Sequence, residues 1–509
     1  MPGVGLGSEP RNFLRARHPE ILGRWPAVCA LTLVAALLRF PTLGLQSFGD
    51  DELYTVWLIR GGLTRTLAHV AETESTPHLY YAIAWVWAHL FGRGEVGLRS
   101  LSAFLGTATI PVVYLAALRL VSERAALIAV ALVTVNPLLV WYSQEARAYA
   151  ALVLLSTLSL FAFLRALEQP GTRQLGAWAL VCAFAVATHY FALFLVAGEA
   201  LWLLVRTRQL KAVLAASAVP LGALLLVAPT ALHQISVGNP TGIEKTALWR
   251  RTVQVPKNFL VGHNSPLELY TTLAAGALAL LALWLLTSRA HPEDRRGAKA
   301  ASLLATCTIV PPLLLAVGGA DYLSSRNVIA AVVPCAVIAA AGFAATRGGV
   351  AAAVCACLLS IGVVVAADAD PGSRRRDWRG AAEALGTQPG RRAIVLTPSL
   401  ESYLWVYLHG ARPLPREGAE VDEIGVVGLE KEGEYTAGAP SLIRPASPPV
   451  TKLGFFPVEL SEAETYTVIR FRSSRPRRVT PDMLEAFAIG EERGPAFLLQ
   501  TAAPTPSRR

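Results

Sequence analysis

The chain has 509 residues, 53% of them hydrophobic and 16% charged, a balance outside that of soluble globular domains. Its formal net charge is +10. The Lys and Arg residues stand beside long apolar segments and are not interleaved with exposed aromatics, which argues against a nucleic-acid partner and for membrane insertion.

About 20 apolar residues cross a bilayer core. By that measure about eleven segments qualify, near 26–45, 98–118, 124–141, 146–165, 174–188, 190–206, 211–233, 267–288, 298–320, 326–346 and 348–367. Arg11, Arg15, Arg17 and Arg24 precede the first, which places the N-terminus in the cytoplasm. That first segment is too long for a signal-peptide core and is read as a retained anchor. The aromatic, His-flanked stretch Pro77 to Gly92 is too short to cross and reads as an interfacial helix on the outer surface. With it outside, the remaining basic loops fall on the cytoplasmic side. The outer face then holds the loops 42–97 and 234–266, the turns at 142–146 and at His189, the loop near Asp321 and the C-terminal region.

The predicted fold is an all-α polytopic membrane bundle, N-in and C-out, with outer-face interfacial helices and a small soluble C-terminal α/β domain. Its divisions are a cytoplasmic N-terminus at 1–25, a transmembrane domain at 26–367 and an extracytoplasmic domain at 368–509. In the last, Trp378 to Leu385 has helical periodicity, Ala393 to Leu396 and Tyr466 to Phe471 read as strands, and 502–509 as a frayed tail. All six cysteines fall in apolar segments, so no disulfide framework is expected. Gly3 to Gly7 follows no strand and is no nucleotide-binding loop.

Four outer-face groups carry chemistry. Asp50, Asp51 and Glu52 open an amphipathic helix through Leu53, Val56, Trp57 and Ile59. A carboxylate there fits a base held near the apolar boundary, and Asp50 as a plain N-cap is the bland alternative. Glu74 and His78 have the i,i+4 spacing of a metal pair, but Pro77 between them favours a polar helix cap. Glu145 and Tyr149 share a face if a helix runs through Ser143 to Tyr149, and charges at that depth face the bundle interior or serve as interface anchors. His189-Tyr190 marks an outer turn, and Arg326 before a late helix offers a cation to a phosphate or snorkels to headgroups. Carboxylates, a cation and an aromatic shelf beside the bilayer suit transfer of a group from a lipid phosphate to an acceptor outside.

This ordered set resembles the membrane glycosyltransferases of the GT-C superfamily, specifically glycosyltransferase family 39, the protein O-mannosyltransferase and aminoarabinose transferase-like group. The resemblance spans about 26–350. It rests on Asp51-Glu52 after the first span, Glu74 to Tyr81 as a PPLYY-like element, Gln144 to Tyr149, His189-Tyr190, and Arg326 before a late helix. It implies a polyprenyl-phosphate sugar donor and an inverting single displacement at the anomeric carbon. Asp51 would match the catalytic base, with Glu52 beside it. Arg147 and Arg326 would stabilise the departing lipid phosphate. Glu74, Glu145 and Tyr149 would orient sugar or acceptor, and His78, Tyr81, His189 and Tyr190 would complete the substrate site. The sequence departs from the family at Thr76-Pro77-His78, where a second proline is common, and at Tyr149, where the aminoarabinose branch has an acidic residue.

The resemblance implies no organic cofactor and leaves a divalent cation near Glu74 as an open alternative. The partners implied are a lipid-linked sugar, the membrane, and an envelope acceptor that is protein, lipid or polysaccharide. A transporter or flippase of lipid-linked saccharides is the alternative class, but it calls for ionisable groups near the midplane and internal repeats. A third reading, a scaffold, would put the recognition surface in the C-terminal domain.

Overall fold

The computed structural model describes residues 24–207, 209–237, 243, 246–386, 390–396, 404, 406–408, 410–429, 453–485 and 496–501. Arg11, Arg15, Arg17, Gly3 to Gly7 and the tail 502–509 lie outside the described residues. In chain order the first helices are α1 (Trp25–Arg39), α2 (Asp50–Leu58), α3 (Leu63–Thr73), α4 (Leu79–Phe91), α5 (Glu95–Leu120) and α6 (Glu123–Val135). Then come α7 (Pro137–Ser143), α8 (Tyr149–Glu168), α9 (Thr172–Thr188), α10 (Ala192–Arg206), α11 (Leu210–Val237) and α12 (Leu248–Val261). The last are α13 (Glu268–Ser288), α14 (Pro292–Val317), α15 (Val332–Phe343), α16 (Arg347–Ala369) and α17 (Trp378–Leu385). The strands are β1 (Arg391–Leu396), β2 (Ala411–Pro413), β3 (Ala419–Leu429), β4 (Phe456–Glu462), β5 (Tyr466–Val479) and β6 (Ala496–Thr501).

The chain divides into two compact units, Met1–Leu43 with Leu58–Ala367, and Gly44–Trp57 with Asp368–Arg509. The first is helical. Among the described residues six helices are long and apolar enough to cross a membrane, or seven if α6 and α7 form one bent span. The bend is 54°. It falls at Asn136-Pro137, where Pro137 cannot continue the hydrogen-bond ladder and Asn136 restarts it by accepting from Leu139 N–H at 3.0 Å. The segment read from sequence as one span at 124–141 is therefore two helices. The aromatic stretch is the 13-residue α4, short of a bilayer crossing. Two amphipathic helices that the sequence reading does not mark, α3 and α12, belong to this unit.

Its core gathers alanine-rich faces such as Ala116 and Ala117 of α5 with Ala125, Ala126 and Ala129 of α6. Without a hydrophobic drive between helices in lipid, small residues let backbones approach and gain dispersion contacts. At Gly342 of α15 an added Cβ would lie 1.9 Å from the Ala282 carbonyl oxygen of α13. Gly342→Ala is therefore expected to push α15 off α13 and cost about 1–3 kcal/mol. Thermal unfolding followed by tryptophan fluorescence checks this, and an unchanged midpoint would remove the close contact from the account.

The second unit is built on a six-stranded sheet in the order β2-β6-β1-β3-β5-β4. Among the described strands only β1 and β3 pair in parallel, and β1 is buried along all but its first residue. Helix α17 occupies the residues its periodicity foretold, capped by Asp377, which accepts from Gly380 N–H at 2.9 Å. Helix α2 joins this unit from far earlier in the chain. One rung of the sheet sets Arg392 opposite Glu423, and Glu423 also accepts from Arg470 and Arg472 at 3.0 Å each. Burial works against ionisation of Glu423, but the Arg470 hydrogen bond and the Arg392 charge outweigh it and hold its carboxyl below the ordinary value of 4.5. Because the folded-state value is depressed, this contribution is full above pH 4.5 and is lost as pH falls through the folded value. Amide exchange of β1 and β3 in the full chain, corrected for intrinsic rates, should accelerate below that pH, and flat rates would contradict the assignment.

Candidate active site

The polar groups of the first unit converge on Arg147, which lies in an irregular link between α7 and α8. The helix expected through Ser143 to Tyr149 does not form: α7 ends at Ser143 and α8 begins at Tyr149, so Glu145 and Tyr149 do not share a helical face. Side chains of the link are committed to tertiary partners instead. Gln144 Nε2 donates to the Leu38 and Arg39 carbonyls, both at 3.2 Å, and to Thr42 Oγ1 at 2.6 Å. Arg147 turns to Glu74 with a two-pronged contact, Nη1 to Oε1 at 3.1 Å and Nη2 to Oε2 at 2.8 Å.

Glu74 closes the C-terminus of α3 and is only 3% exposed, so the guanidinium is what permits a charge there. Tyr81 of α4 donates to Glu74 Oε2 at 2.5 Å and meets the Thr76 hydroxyl at 3.1 Å. The Arg147 guanidinium also lies 5.9 Å from the Tyr81 ring centre. Both Glu74 oxygens are thus engaged, which favours an ion-pair role over metal ligation. His78 stands at the N-terminal edge of α4, not on a helical face with Glu74. Burial lowers its pKa, partly offset by a hydrogen bond with the Leu67 backbone, so its ring is turned to α3. Among the described residues no group of three or more His, Cys, Asp or Glu is set to hold a metal ion. Glu145, two residues before Arg147, is buried.

Tyr149, the first residue of α8, sits edge-on to Tyr142 at 4.7 Å and tilted against His189 at 5.9 Å between ring centres. His189 lies in the turn between α9 and α10. Its Nδ1 accepts from Phe191 N–H at 3.3 Å, which leaves Nε2 as the protonated nitrogen of a neutral ring. Burial first, then the charges of Arg147 and Arg326, push its pKa down to about 3. Nε2 is buried and has no hydrogen-bond partner among the described residues. A neutral N–H donor in the field of two arginines is prepared for an anion or a hydroxyl oxygen. Tyr190 ties elements together: its hydroxyl donates to Gln234 Oε1 at 3.0 Å, and Gln234 Nε2 donates to the carbonyls of Val70 and Thr76 at 3.0 and 3.3 Å. Arg326 lies in the turn that leads into α15.

Sequence reading missed a second polar layer carried by α12. Arg251, Val255 and Asn258 share its buried face at i, i+4 and i+7, a mixed polar stripe that periodicity alone would have exposed. Arg251 pairs through both terminal nitrogens with Asp321 and donates to the Leu323 carbonyl at 3.0 Å, fixing the loop that leads to Arg326. That pairing holds the Asp321 carboxyl below the ordinary range, the Arg251 hydrogen bond being the largest cause. Asn258 donates to Ser325 Oγ at 2.8 Å and to His263 Nδ1 at 3.2 Å, and His263 Nε2 meets the Tyr142 hydroxyl at 2.7 Å.

In the second unit the three acidic residues of α2 have different environments. Asp50 is the first helical residue, not a cap. It accepts from Trp378 Nε1 at 3.0 Å and Arg376 Nη1 at 2.7 Å, and burial raises its pKa against the lowering effect of Arg376. Glu52 is fully buried and accepts from the Gly49 N–H at 2.8 Å. Asp51, between them, is half-buried.

A unit of long apolar helices with short amphipathic helices and a buried, cation-lined polar cluster has counterparts among solved structures. The structure of ArnT from Cupriavidus metallidurans in the apo state is similar over 88% of this chain and 98% of its own, at 14% identity and TM-score 0.54. That of ArnT from Cupriavidus metallidurans bound to undecaprenyl phosphate is similar over 87% of this chain and 97% of its own, at 13% identity and TM-score 0.51. At such identity these likenesses speak for the fold. No curated protein matches the chain. Residues 75–233, which include Tyr81, Arg147 and His189, match the family model described as dolichyl-phosphate-mannose-protein mannosyltransferase. The chain therefore shares the fold of these two structures and, over residues 75–233, is similar to that mannosyltransferase family.

Proposed function

We propose that the chain moves a sugar from a polyprenyl-phosphate donor to a hydroxyl acceptor on the outer face of the membrane, by inverting displacement. The observation that carries this reading is the buried His189 N–H donor in the field of Arg147 and Arg326, a site prepared for an oxyanion. The undecaprenyl phosphate bound by the similar ArnT supports a lipid phosphate as that oxyanion. In the step, the acceptor oxygen attacks the anomeric carbon, its proton passes to the Asp51 carboxylate, and the bond from that carbon to the phosphate oxygen breaks. The electron pair leaves on polyprenyl phosphate, where Arg147, Arg326 and His189 stabilise the charge. Glu74 and Tyr81 orient Arg147, and Tyr149 and Glu145 border the sugar.

The proposed topology has about eleven spans, the N-terminus inside, α4 at the outer interface, and the soluble domain 368–509 outside. The test is transfer of labelled sugar by the full chain in proteoliposomes of known orientation, over a panel of polyprenyl-phosphate sugars and envelope acceptors. Label on an acceptor supplied to the outer face is the expected result. Movement of intact lipid-linked sugar between leaflets, with no glycosidic bond formed, would instead make the chain a flippase.

A further inference from the structure

Helix α2, nine residues long, is too short to hold its own position in water, since isolated helices below about 12–15 residues are marginal. Its place comes from contacts made within the second unit. Ser47 Oγ donates to the Arg376 carbonyl at 2.6 Å and accepts from Trp378 N–H at 3.1 Å. Phe48 N–H donates to the Tyr407 hydroxyl at 2.7 Å. Gly49 is overlaid by the buried stem of Arg375, whose Cδ would be 2.8 Å from an added Cβ. The Arg375 Nε lies 3.8 Å from Glu52 Oε2, with both side chains almost wholly buried. Asp50 is held by Arg376 and the Trp378 indole.

The contacts of Asp50 and Glu52 therefore fix the helix that also carries Asp51. We propose that the segment Arg375 to Trp378, with Tyr407, is a positioning device that sets the orientation of Asp51, so that the soluble domain contributes to the chemical step without touching substrate. This rests on Asp51 being the base. A displacement of about 1 Å in a reacting group costs about 10²-fold in rate, so a small loosening of α2 has a measurable effect.

The experiment uses the full chain in proteoliposomes, with Arg376→Ala, Arg376→Lys and the packing-conservative Trp378→Phe. Two readouts are taken: amide exchange over 49–58, and kcat and KM with a polyprenyl-phosphate sugar. In Arg376→Ala and Trp378→Phe the α2 amides should exchange faster. For Arg376→Ala, kcat should fall about 10²-fold with donor KM within about twofold of wild type, and Arg376→Lys should recover most of it. Wild-type exchange in both Ala and Phe variants would overturn the proposal, as would faster exchange with unchanged kcat. If the wild type transfers no sugar, the functional reading fails, and the inference that the device serves Asp51 as a base falls with it. In that case the exchange data still show separately whether the clamp holds α2.

Discussion

Arg147→Ala should lose both stability and activity. The guanidinium is the counter-charge of Glu74, whose side chain is 3% exposed, and removing one partner of a buried ion pair costs about 3–5 kcal/mol because the other charge is left unpaired. The two losses separate in a double variant. Glu74→Gln removes the stranded charge, so Arg147→Ala with Glu74→Gln should regain much of the midpoint of thermal unfolding. It should not regain sugar transfer, because the cation proposed to meet the leaving phosphate is still missing. Recovery of both would reduce Arg147 to a structural partner of Glu74. Arg147→Lys keeps the charge but not the two-pronged geometry, and it should fall between wild type and Ala in both assays.

Asp51→Asn carries the second large effect. The amide is nearly isosteric but cannot accept the acceptor's proton, and loss of general-base assistance typically removes about 10²–10⁴-fold in rate. The adjacent Glu52 supplies the control. Its carboxylate is buried on the Gly49 N–H, and the oxygen of a Gln side chain can still accept that hydrogen bond. Glu52→Gln should therefore lower transfer less than Asp51→Asn does, its loss coming from the charge withdrawn from the buried Arg375, 3.8 Å away. If Glu52→Gln is dead and Asp51→Asn is active, measured on folded protein, the roles of the two carboxylates are reversed.

Much of this arrangement is legible in the sequence because long apolar segments and short aromatic helices are written in local composition. The apolar runs locate most of the long helices, the aromatic stretch after Pro77 is too short to span, and α17, β1 and β5 lie where periodicity puts them. The residue types clustered around Arg147 are legible too, but their pairing is not. Spacing alone offers Glu74 and His78 as a metal pair, whereas Glu74 is claimed by Arg147, 73 residues away. Similarly, a helix through Glu145 is a fair reading of local propensity, and it fails because Gln144 and Arg147 bond to α1, Thr42 and Glu74 instead. The hold of Arg376 on Asp50 spans 326 residues and leaves no local signal at all. Helix α12 is the contrary case, since its buried face follows the helical period with Arg251 and Asn258 in plain view.

The most direct test of the central claim is to measure lipid phosphate and sugar transfer together. With full chain in proteoliposomes and a polyprenyl-phosphate sugar that supports transfer, free polyprenyl phosphate should appear in equimolar amount with sugar joined to the acceptor, and the new bond should have the anomeric configuration opposite to that of the donor. Retention of configuration would contradict a single displacement with Asp51 as base. Sugar-lipid that changes leaflet while releasing no polyprenyl phosphate would contradict the glycosyl-transfer account itself.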